Sequence, residues 1–448
     1  DGRAGHGVKH LTRTSRRGLG MWRHPGLLIW VMGPMAPGRR MPGAHAHLRW
    51  HEAMTGMITV EEAKRILMAH IRQTAMEFVP LGDAWGRVLA SDAYAQDDHP
   101  RFDMSAVDGY AVGDGPGPWR IRGALQAGQS LGSVVTTGEC VRIFTGAEVP
   151  PGTWAVVMQE HGRAEGGTFR LEGAQVGQGA NIRRKGESFM RGELLLTKGS
   201  RIDPASVGLL LSSGLSEVPV SRGPSVGVVR TGGEFIEEGM PIAGRIHSSN
   251  EWMLIAAVRE AGCDVEGAAY PAADERGEIR DALMQAIAVN DVVISTGGVS
   301  VGDHDLVRDV LVELGAAIHF HGVRQKPGKP MLFATLRGRP VFALPGNPRA
   351  VLVCWYAYVL PYLRAMQGQT DPWQRMEQLP LAHAVTLKGE RSEFRAALIR
   401  SGKVELLPDE GSHMLATLVR ADALAILPAG ARDLEQGALV EVQWIARA

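Results

Sequence analysis

Three short apolar, β-rich runs in this chain each end abruptly in a glycine turn. They are SVGVVRTGGE at residues 225–234, VVISTGG at 292–298 and PVFALPGN at 340–347. A buried parallel strand that ends in a glycine turn brings backbone N–H groups to the carboxyl edge of a sheet, where an anion can approach them. Helical patterns fill the intervals between the runs. The chain is therefore predicted to form a parallel α/β sheet with a ligand crevice at that edge.

Charged and polar side chains cluster in and beside these turns. Ser300, Asp303 and Asp305 follow the turn at Gly297-Gly298. Carboxylates are the ligands that divalent cations prefer in proteins. The segment Lys326-Pro-Gly-Lys-Pro330 adds two cations flanked by rigid prolines. This combination predicts a crevice for a phosphorylated ligand whose chemistry is assisted by a metal ion.

The remaining segments predict a multidomain chain that combines α/β and all-β parts. A length of 448 residues suggests about three domains. Short alternating runs between Gly and Pro turns indicate β-structure on both sides of the doubly wound α/β domain. We predict an N-terminal extension outside the fold at 1–56, a linker domain in two segments at 57–92 and 190–221, a β-rich domain at 93–189, the α/β domain at 222–371, and a C-terminal β-barrel at 372–448.

Local capping signals predict where several helices begin. Thr59 followed by Glu62 is typical of a capping box. Asp203-Pro204 predicts a helix start because proline is favoured at the first helical position. Residues 81–92 also have the pattern of a short helix.

Charge and cysteine usage exclude several classes of protein. Residues 1–53 carry nine Lys and Arg against two acids, which leaves 39 basic and 46 acidic residues in the rest of the chain. The mildly acidic net charge of residues 54–448 argues against general nucleic-acid binding. The three cysteines are far apart, which indicates a reducing compartment and neither a disulfide framework nor a zinc site. No segment is long and apolar enough to span a membrane, so we expect a cytoplasmic protein.

A second pair of motifs lies in the β-rich region. FDMSAVDGYAV at 102–112 places Asp108 in a tight turn, and RIFTGAEVP at 142–150 places Thr145 beside a glycine at a strand end. A carboxylate and a hydroxyl in such turns suit an oxygen-rich ligand. The alternative interpretation of Asp108 is an ordinary β-turn with a capping aspartate.

Taken in order, eight motifs resemble one known family. SAVDGYAV, RIFTGAEVP, AVVMQE, ANIRRKGES, TGGE, GGVSVGDHD, KPGKP and LPGNP are similar to the motifs of the molybdopterin molybdenumtransferases, the family of MoeA and the gephyrin E domain. The resemblance extends over roughly residues 57–440. It implies four domains, including an elongated linker domain and a MogA/MoaB-like α/β domain.

The resemblance also implies an activity and partners. The family inserts molybdate into adenylylated molybdopterin and releases AMP in a Mg²⁺-dependent step. Its members are homodimers whose active site lies between the α/β domain of one subunit and the β domain of the other. Transient contact with the pterin adenylyltransferase and with molybdoenzyme-maturation proteins is implied as well.

Roles are carried over only onto residues that match the family's motifs. The implied catalytic residues are Asp108, Thr145, Glu234 and Asp305. The implied Mg²⁺ ligands are Asp303, Asp305 and Glu234. The implied substrate-binding residues are Gly297, Gly298, Ser300, Lys326, Lys329, Pro330, Asn347, Arg391, Arg395 and Ser412.

The chain departs from the family's motifs at four places. Gly233 and Ser188 stand where acids are common, Met104 replaces an asparagine, and His247-Ser-Ser-Asn250 replaces Asp-[Ser/Thr]-Asn. Lost acids weaken Mg²⁺ binding. Two alternatives therefore stay open: a catalytically weakened paralogue that binds molybdopterin or acts as a scaffold, and a nucleotide-pyrophosphate hydrolase that shares the α/β domain.

Overall fold

The computed structural model describes residues 56–445, apart from 174, 237–242, 266–268, 300–305, 388, 409–410, 412–413 and 431–432. All but the last residue of the predicted extension at 1–56 therefore lies outside the described residues. Within the part that is described, every helix is too short or too polar to cross a bilayer.

The first helix begins where the capping signal predicts. The N–H of Glu62 donates to Thr59 Oγ1 at 3.1 Å, and α1 follows at Val60–Ala69. Its apolar face is buried through Val60, Ala63 and Leu67. The next two strands are β1 (Met76–Pro80) and β2 (Ala93–Tyr94).

The helix predicted at 81–92 is wrong. Only Leu81–Asp83 forms a 3₁₀ turn. Beyond it, the N–H of Gly86 donates to Ile202 O at 2.8 Å, and Val88 bridges antiparallel to Arg201. Backbone partners more than a hundred residues away therefore replace the local helical hydrogen bonds, as tertiary context often does.

Eight strands follow in the β-rich region. They are β3 (Met104–Ser105), β4 (Gly109–Val112), β5 (Trp119–Leu125), β6 (Glu139–Ile143), β7 (Ala155–Met158), β8 (Gly162–Glu165), β9 (Thr168–Leu171) and β10 (Ile182–Arg183). Six of them form one sheet in the order β7-β4-β6-β5-β9-β8, and β10 pairs with β3. A short 3₁₀ turn, Gln159–His161, joins β7 to β8.

The chain then returns to the first strands. It forms β11 (Leu194–Leu196), α2 (Pro204–Ser212) and β12 (Glu217–Ser221). α2 begins at Pro204, as predicted, and Asp203 caps it, because its Oδ1 accepts the N–H of Ser206 at 2.7 Å. β11 pairs antiparallel with β2, and β12 pairs antiparallel with β1. Two distant chain segments thus share one small core.

Alternating strands and helices follow, largely where the sequence predicts them. They are β13 (Val226–Thr231), β14 (Phe235–Ile236), β15 (Ile246–His247), α3 (Asn250–Glu260), β16 (Tyr270–Ala272), α4 (Arg276–Val289), β17 (Val292–Thr296), α5 (Leu306–Glu313), β18 (Ala317–His321), β19 (Gln325–Lys326), β20 (Leu332–Leu336) and β21 (Arg339–Leu344). A long helical segment closes the domain as α6 (Pro348–Cys354), a π-helical turn (Trp355–Val359) and α7 (Leu360–Met366).

The central sheet is covered on both faces. Its strand order is β16-β13-β17-β21-β20-β18, parallel from β16 to β21 and antiparallel beyond. Val228 packs in one core with Leu254 of α3, while its neighbour Val229 packs in the other with Ile279 of α4. Successive side chains of a strand point to opposite faces, so this is a doubly wound α/β domain, as predicted.

The C-terminal strands close into a small barrel. They are β22 (Met376–Pro380), β23 (Val385–Thr386), β24 (Ser392–Arg400), β25 (Lys403–Leu406), β26 (Ala423–Leu427), β27 (Asp433–Leu434) and β28 (Leu439–Trp444), with one helix, α8 (Ala416–Arg420). The sheet runs β24-β26-β28-β22, and β25 pairs with β24. A bridge between Leu381 and Val404 joins β22 back to β25 and completes the ring. β19 pairs parallel with β24 and so connects the barrel to the α/β domain.

Candidate active site

The carboxyl ends of β13, β17 and β21 open into a cavity of about 850 Å³. A glycine turn follows each of the three strands, and one residue in or next to each turn lines the cavity. These residues are Glu234, Val299 and Asn347. The carboxyl ends of parallel strands meet at one edge of a sheet, which explains why residues far apart in sequence converge here. The predicted site residues among the lining are Glu234, Lys326, Lys329, Pro330, Asn347, Arg391 and Arg395.

Cations dominate the described lining. Lys326 ends β19, and Lys329 lies in the loop between β19 and β20. From the barrel, Arg391 directly precedes β24 and Arg395 lies within it. Arg349 adds a fifth positive charge from α6, while the described carboxylates of the wall are those of Glu234 and Glu393. Such an excess of positive charge in a concave site attracts a multiply charged anion.

A buried carboxylate holds two of these cations in place. Glu393 is only 7% exposed, and its two oxygens lie 3.9 Å from Lys326 Nζ and 3.5 Å from Arg395 Nη1. Burial, and secondarily the nearby guanidinium of Arg391, lower the pKa of Lys329 below that of an ordinary lysine. The cationic wall is therefore already partly desolvated before any ligand enters.

Gly297 and Gly298 lie under the wall and do not line it. Both have positive φ, at 91° and 62°. A Cβ on Gly297 would lie 2.7 Å from Thr231 O, and one on Gly298 would lie 2.8 Å from Val307 Cγ2. These two glycines are thus required by the close packing of the turn against β13 and α5.

Asn250 connects two of the turns, and the sequence interpretation gave it no role. Its Nδ2 donates to Thr296 Oγ1 at 3.0 Å and to Gly346 O at 2.7 Å. It lines the cavity at the start of α3 and is 8% exposed. The only signal in the sequence was a polar run, His247-Ser-Ser-Asn250, just before an apolar helix.

Asp108 and Thr145 form a separate pair in the β-rich domain. Gly109 of β4 pairs with Ile143 of β6, which places the residue before β4 beside the turn after β6. Asp108 Oδ1 accepts both the N–H and the hydroxyl of Thr145 at 2.8 Å. These two bonds, the backbone one first, hold the pKa of Asp108 below its usual range, with the nearby Arg142 adding to the effect. Neither residue lines the cavity described above.

Four predicted site residues lie outside the described residues: Ser300, Asp303, Asp305 and Ser412. Glu234 is thus the one member of the predicted Mg²⁺ ligand set that the structure describes. Among the described residues, no three His, Cys, Asp or Glu side chains converge in a way that would hold a metal ion.

Three family models match consecutive parts of the chain. The MoeA N-terminal region (domain I and II) matches residues 58–214, a probable molybdopterin binding domain matches 227–365, and the MoeA C-terminal region (domain IV) matches 378–445. A molybdopterin molybdenumtransferase from Nostoc is 33% identical over 387 residues, covering 82% of this chain and 88% of the relative. The chain belongs to the molybdopterin molybdenumtransferase family.

Other molybdopterin molybdenumtransferases agree with this assignment. The one from Haemophilus influenzae is 31% identical over 402 residues, covering 86% of this chain and 98% of the relative. Among solved structures, the molybdopterin biosynthesis MoeA protein of Pyrococcus horikoshii superposes with a TM-score of 0.73 at 29% identity, covering 87% of this chain and all of that one. The predicted family and the predicted multidomain fold are both confirmed.

Proposed function

We propose that this protein is a transferase that inserts molybdenum from molybdate into molybdopterin. Its family membership supports this activity, since the curated relatives are named for it. The observation that carries the proposal is the cavity at the strand ends, because two lysines and two arginines converge there from two domains. Molybdate is a tetrahedral dianion, and charge-assisted hydrogen bonds from such groups are the strong ones for oxyanions.

Two groups of lining residues suit the two parts of the substrate. Lys326, Lys329, Arg391 and Arg395 would bind molybdate and phosphate oxygens, while Glu393 keeps the head groups of Lys326 and Arg395 in position. Phe235, Ile246 and His247 also line the cavity. Aromatic rings such as those of Phe235 and His247 stack against heterocycles. We therefore assign the four cations to the oxyanion and these three side chains to a pterin or adenine ring.

The finer chemistry follows the family resemblance. We propose that the substrate is adenylylated molybdopterin, delivered by a pterin adenylyltransferase, and that AMP is released on insertion. Molybdoenzyme-maturation proteins would then receive the product. Mg²⁺ is the proposed cofactor, with Glu234, Asp303 and Asp305 as its proposed ligands. When bound, Mg²⁺ would polarise the phosphoryl group. The chain's own contribution is the cationic wall, which orients the anion and offsets its charge.

We also propose that the active unit is a homodimer. In one chain, Asp108 and Thr145 lie apart from the cavity lining, so a second subunit would have to bring them to it. The linker segments support a partner surface, since Tyr94 and Leu194 are opposed on β2 and β11 and are 46% and 45% exposed. Phe78 on β1 is 61% exposed. Large apolar side chains that are exposed side by side, as Tyr94 and Leu194 are, are typical of interaction surfaces.

The proposal is tested with the full chain, adenylylated molybdopterin, Mg²⁺ and molybdate. AMP is quantified, and active cofactor is measured by reconstituting an apo-molybdoenzyme. We expect molybdate-dependent AMP release with reconstitution, abolished by Asp108→Asn. Asp114→Asn is the matched control, because Asp114 lies in the same domain and its Oδ1 accepts the N–H of its neighbour Gly115 at 2.8 Å.

The other outcomes identify the alternatives. Tight binding of adenylylated molybdopterin without AMP release would favour a binding or scaffold protein. Cleavage of simple dinucleotides without molybdate would favour a nucleotide-pyrophosphate hydrolase. Loss of activity in Asp114→Asn as well as Asp108→Asn would mean that the β-rich domain tolerates no charge change, and the role given to Asp108 would be withdrawn.

A further inference from the structure

The cationic loop, residues 326–330, is supported from behind by three buried side chains. Gln325, Cys354 and Tyr358 are each 0% exposed. Gln325 precedes the loop on β19, Cys354 ends α6, and Tyr358 lies in the π-helical turn. None of the three lines the cavity, whereas every residue of the loop does. We call these three side chains the rear clamp.

The amide of Gln325 joins the helix to the loop. Its Oε1 accepts the hydroxyl of Tyr358, and its Nε2 donates to Pro327 O at 2.9 Å while lying 3.7 Å from Cys354 Sγ. Because a carbonyl oxygen can only accept, Pro327 O selects the amide orientation in which Nε2 faces the loop, and the Tyr358 hydroxyl then donates to Oε1. Burial raises the pKa of Tyr358 well above that of an ordinary tyrosine, so this hydroxyl stays protonated.

The π-helical turn explains how Tyr358 comes to face the loop. The N–H of Leu360 donates to Trp355 O, five residues back, instead of to the carbonyl four residues back. Pro361 has no N–H with which to continue the α-helical pattern. Such single π-turns inside a helix are frequent at functional sites. Here the turn presents a tyrosine to a buried amide that contacts the loop.

Three consecutive carbonyls of the loop are held by hydrogen bonds. Pro327 O accepts from the clamp, Gly328 O accepts the N–H of Met331 at 3.3 Å, and Lys329 O accepts the N–H of Val323 at 2.9 Å. Two of the three peptides between the lysines, and the one after Lys329, are therefore held by hydrogen bonds. A backbone that is already fixed loses less conformational entropy when the two lysines bind an anion.

We propose that Gln325 and Tyr358 are positioning residues that preorganise Lys326 and Lys329 for an oxyanion. The inference rests on the proposed function, which makes molybdate that anion. Neither residue touches the ligand; they act through the loop backbone. Loosening the clamp should therefore weaken anion binding more than it slows the reaction of an enzyme saturated with molybdate.

The test compares two tyrosines of the same helix. Tyr358→Phe removes the hydroxyl that bonds Gln325. Tyr362→Phe removes the hydroxyl of another buried tyrosine, whose bond, at 2.9 Å, goes to His70 O, away from the loop. Molybdate affinity is measured by calorimetry on the full chain without pterin, and KM and kcat are measured in the insertion assay. Thermal unfolding of both variants reports the purely structural effect.

We expect Tyr358→Phe to raise the molybdate Kd and KM by about 3- to 10-fold, the scale of one buried hydrogen bond, with kcat nearly unchanged. Tyr362→Phe should lower thermal stability to a similar degree and leave Kd unchanged. Gln325→Glu, which replaces the donor facing Pro327 O by an acceptor, should have the larger effect on Kd. Equal Kd values for the two Tyr→Phe variants, or a loss confined to kcat, would overturn the inference. If the wild type binds molybdate without inserting it, the proposed function fails, and the Kd comparison still decides the role of the clamp.

Discussion

Gly328 offers the sharpest test of how tightly the cationic loop is packed. Its φ is +93°, and a Cβ at this position would lie 2.5 Å from Gln325 Nε2 and 2.7 Å from Cys354 Sγ. Real Cβ atoms do not approach other atoms so closely. Both neighbours are fully buried, so they have little room to move aside. Gly328→Ala must therefore displace either the loop or the clamp.

The expected loss of folding free energy in Gly328→Ala has two parts. A non-glycine residue in the left-handed region costs about 1–2 kcal/mol. Overpacking a filled interior costs typically about 1–3 kcal/mol more. Gly315→Ala isolates the first part, because Gly315 has a φ of +78° and no atom within 4 Å of its Cβ position. Both variants exchange glycine for alanine, so their effects on the unfolded chain cancel in the comparison.

Amide hydrogen exchange at Val323 measures how much less stable the loop is in Gly328→Ala than in Gly315→Ala. Its N–H donates to Lys329 O at 2.9 Å and so depends on the loop. We expect this amide to exchange about 5- to 140-fold faster in Gly328→Ala than in Gly315→Ala, which corresponds to the packing part of about 1–3 kcal/mol. Equal exchange rates in the two variants would show that the loop has free space behind it, and the reasoning about the clamp would be refuted.

Three further predictions concern charge and assembly. Because the pKa of Asp108 is depressed, it should stay ionised as the pH falls through the ordinary value of 3.8, and the stability from its bonds with Thr145 should be lost only as the pH falls through the lowered pKa. An NMR titration of the Asp108 carboxyl checks this, and Thr145→Ala should raise its pKa. Because the pKa of Lys329 is lowered from its ordinary value of 10.5, rising pH should deprotonate Lys329, and so weaken molybdate binding, at a lower pH than for an ordinary lysine. Calorimetry on Lys329→Arg should show a flatter dependence of molybdate affinity on pH, since arginine stays charged. Leu194→Glu should dissociate the homodimer in sedimentation velocity, while Leu439→Glu, also at an exposed position, should not.

The α/β domain was predictable because its signals are local. Each central strand is a short apolar run that ends at a glycine, and the observed ends at Thr231, Thr296 and Leu344 match the runs in the sequence. The caps at Thr59 and Asp203 are also local, since each acts on an N–H three residues away. Such features need no knowledge of the rest of the chain.

The helix predicted at 81–92 failed for the opposite reason. Its residues have a helical pattern, but their backbone groups find partners at 200–202 and 216–220, in the second linker segment. A pairing between segments so far apart leaves no trace in a short window of sequence. Tertiary hydrogen bonds decided the structure of these residues.

At the candidate site, too, some residues were predictable from the sequence and others were not. Glu234 and Asn347 were predictable because they stand beside strand ends, which converge in a parallel sheet. The two lysines were predictable as cations flanked by prolines in a short loop, although β19, which leads into that loop, pairs with the barrel. Glu393 and Asn250 were missed, since a glutamate inside a barrel strand and an asparagine at a helix start have many ordinary roles. What makes them part of the site is their approach to Lys326, Arg395, Thr296 and Gly346.

The sequence by itself determined the strand-and-turn pattern, the family and the cationic residues that line the cavity. Only the tertiary structure decided how those residues are held. Gln325 and Tyr358 are 33 residues apart and look unremarkable in the sequence, yet one buried amide joins them to the loop that carries both lysines. The physical reason is that hydrophobic periodicity and turn residues act locally, whereas the partners of buried polar groups depend on which segments the fold brings into contact.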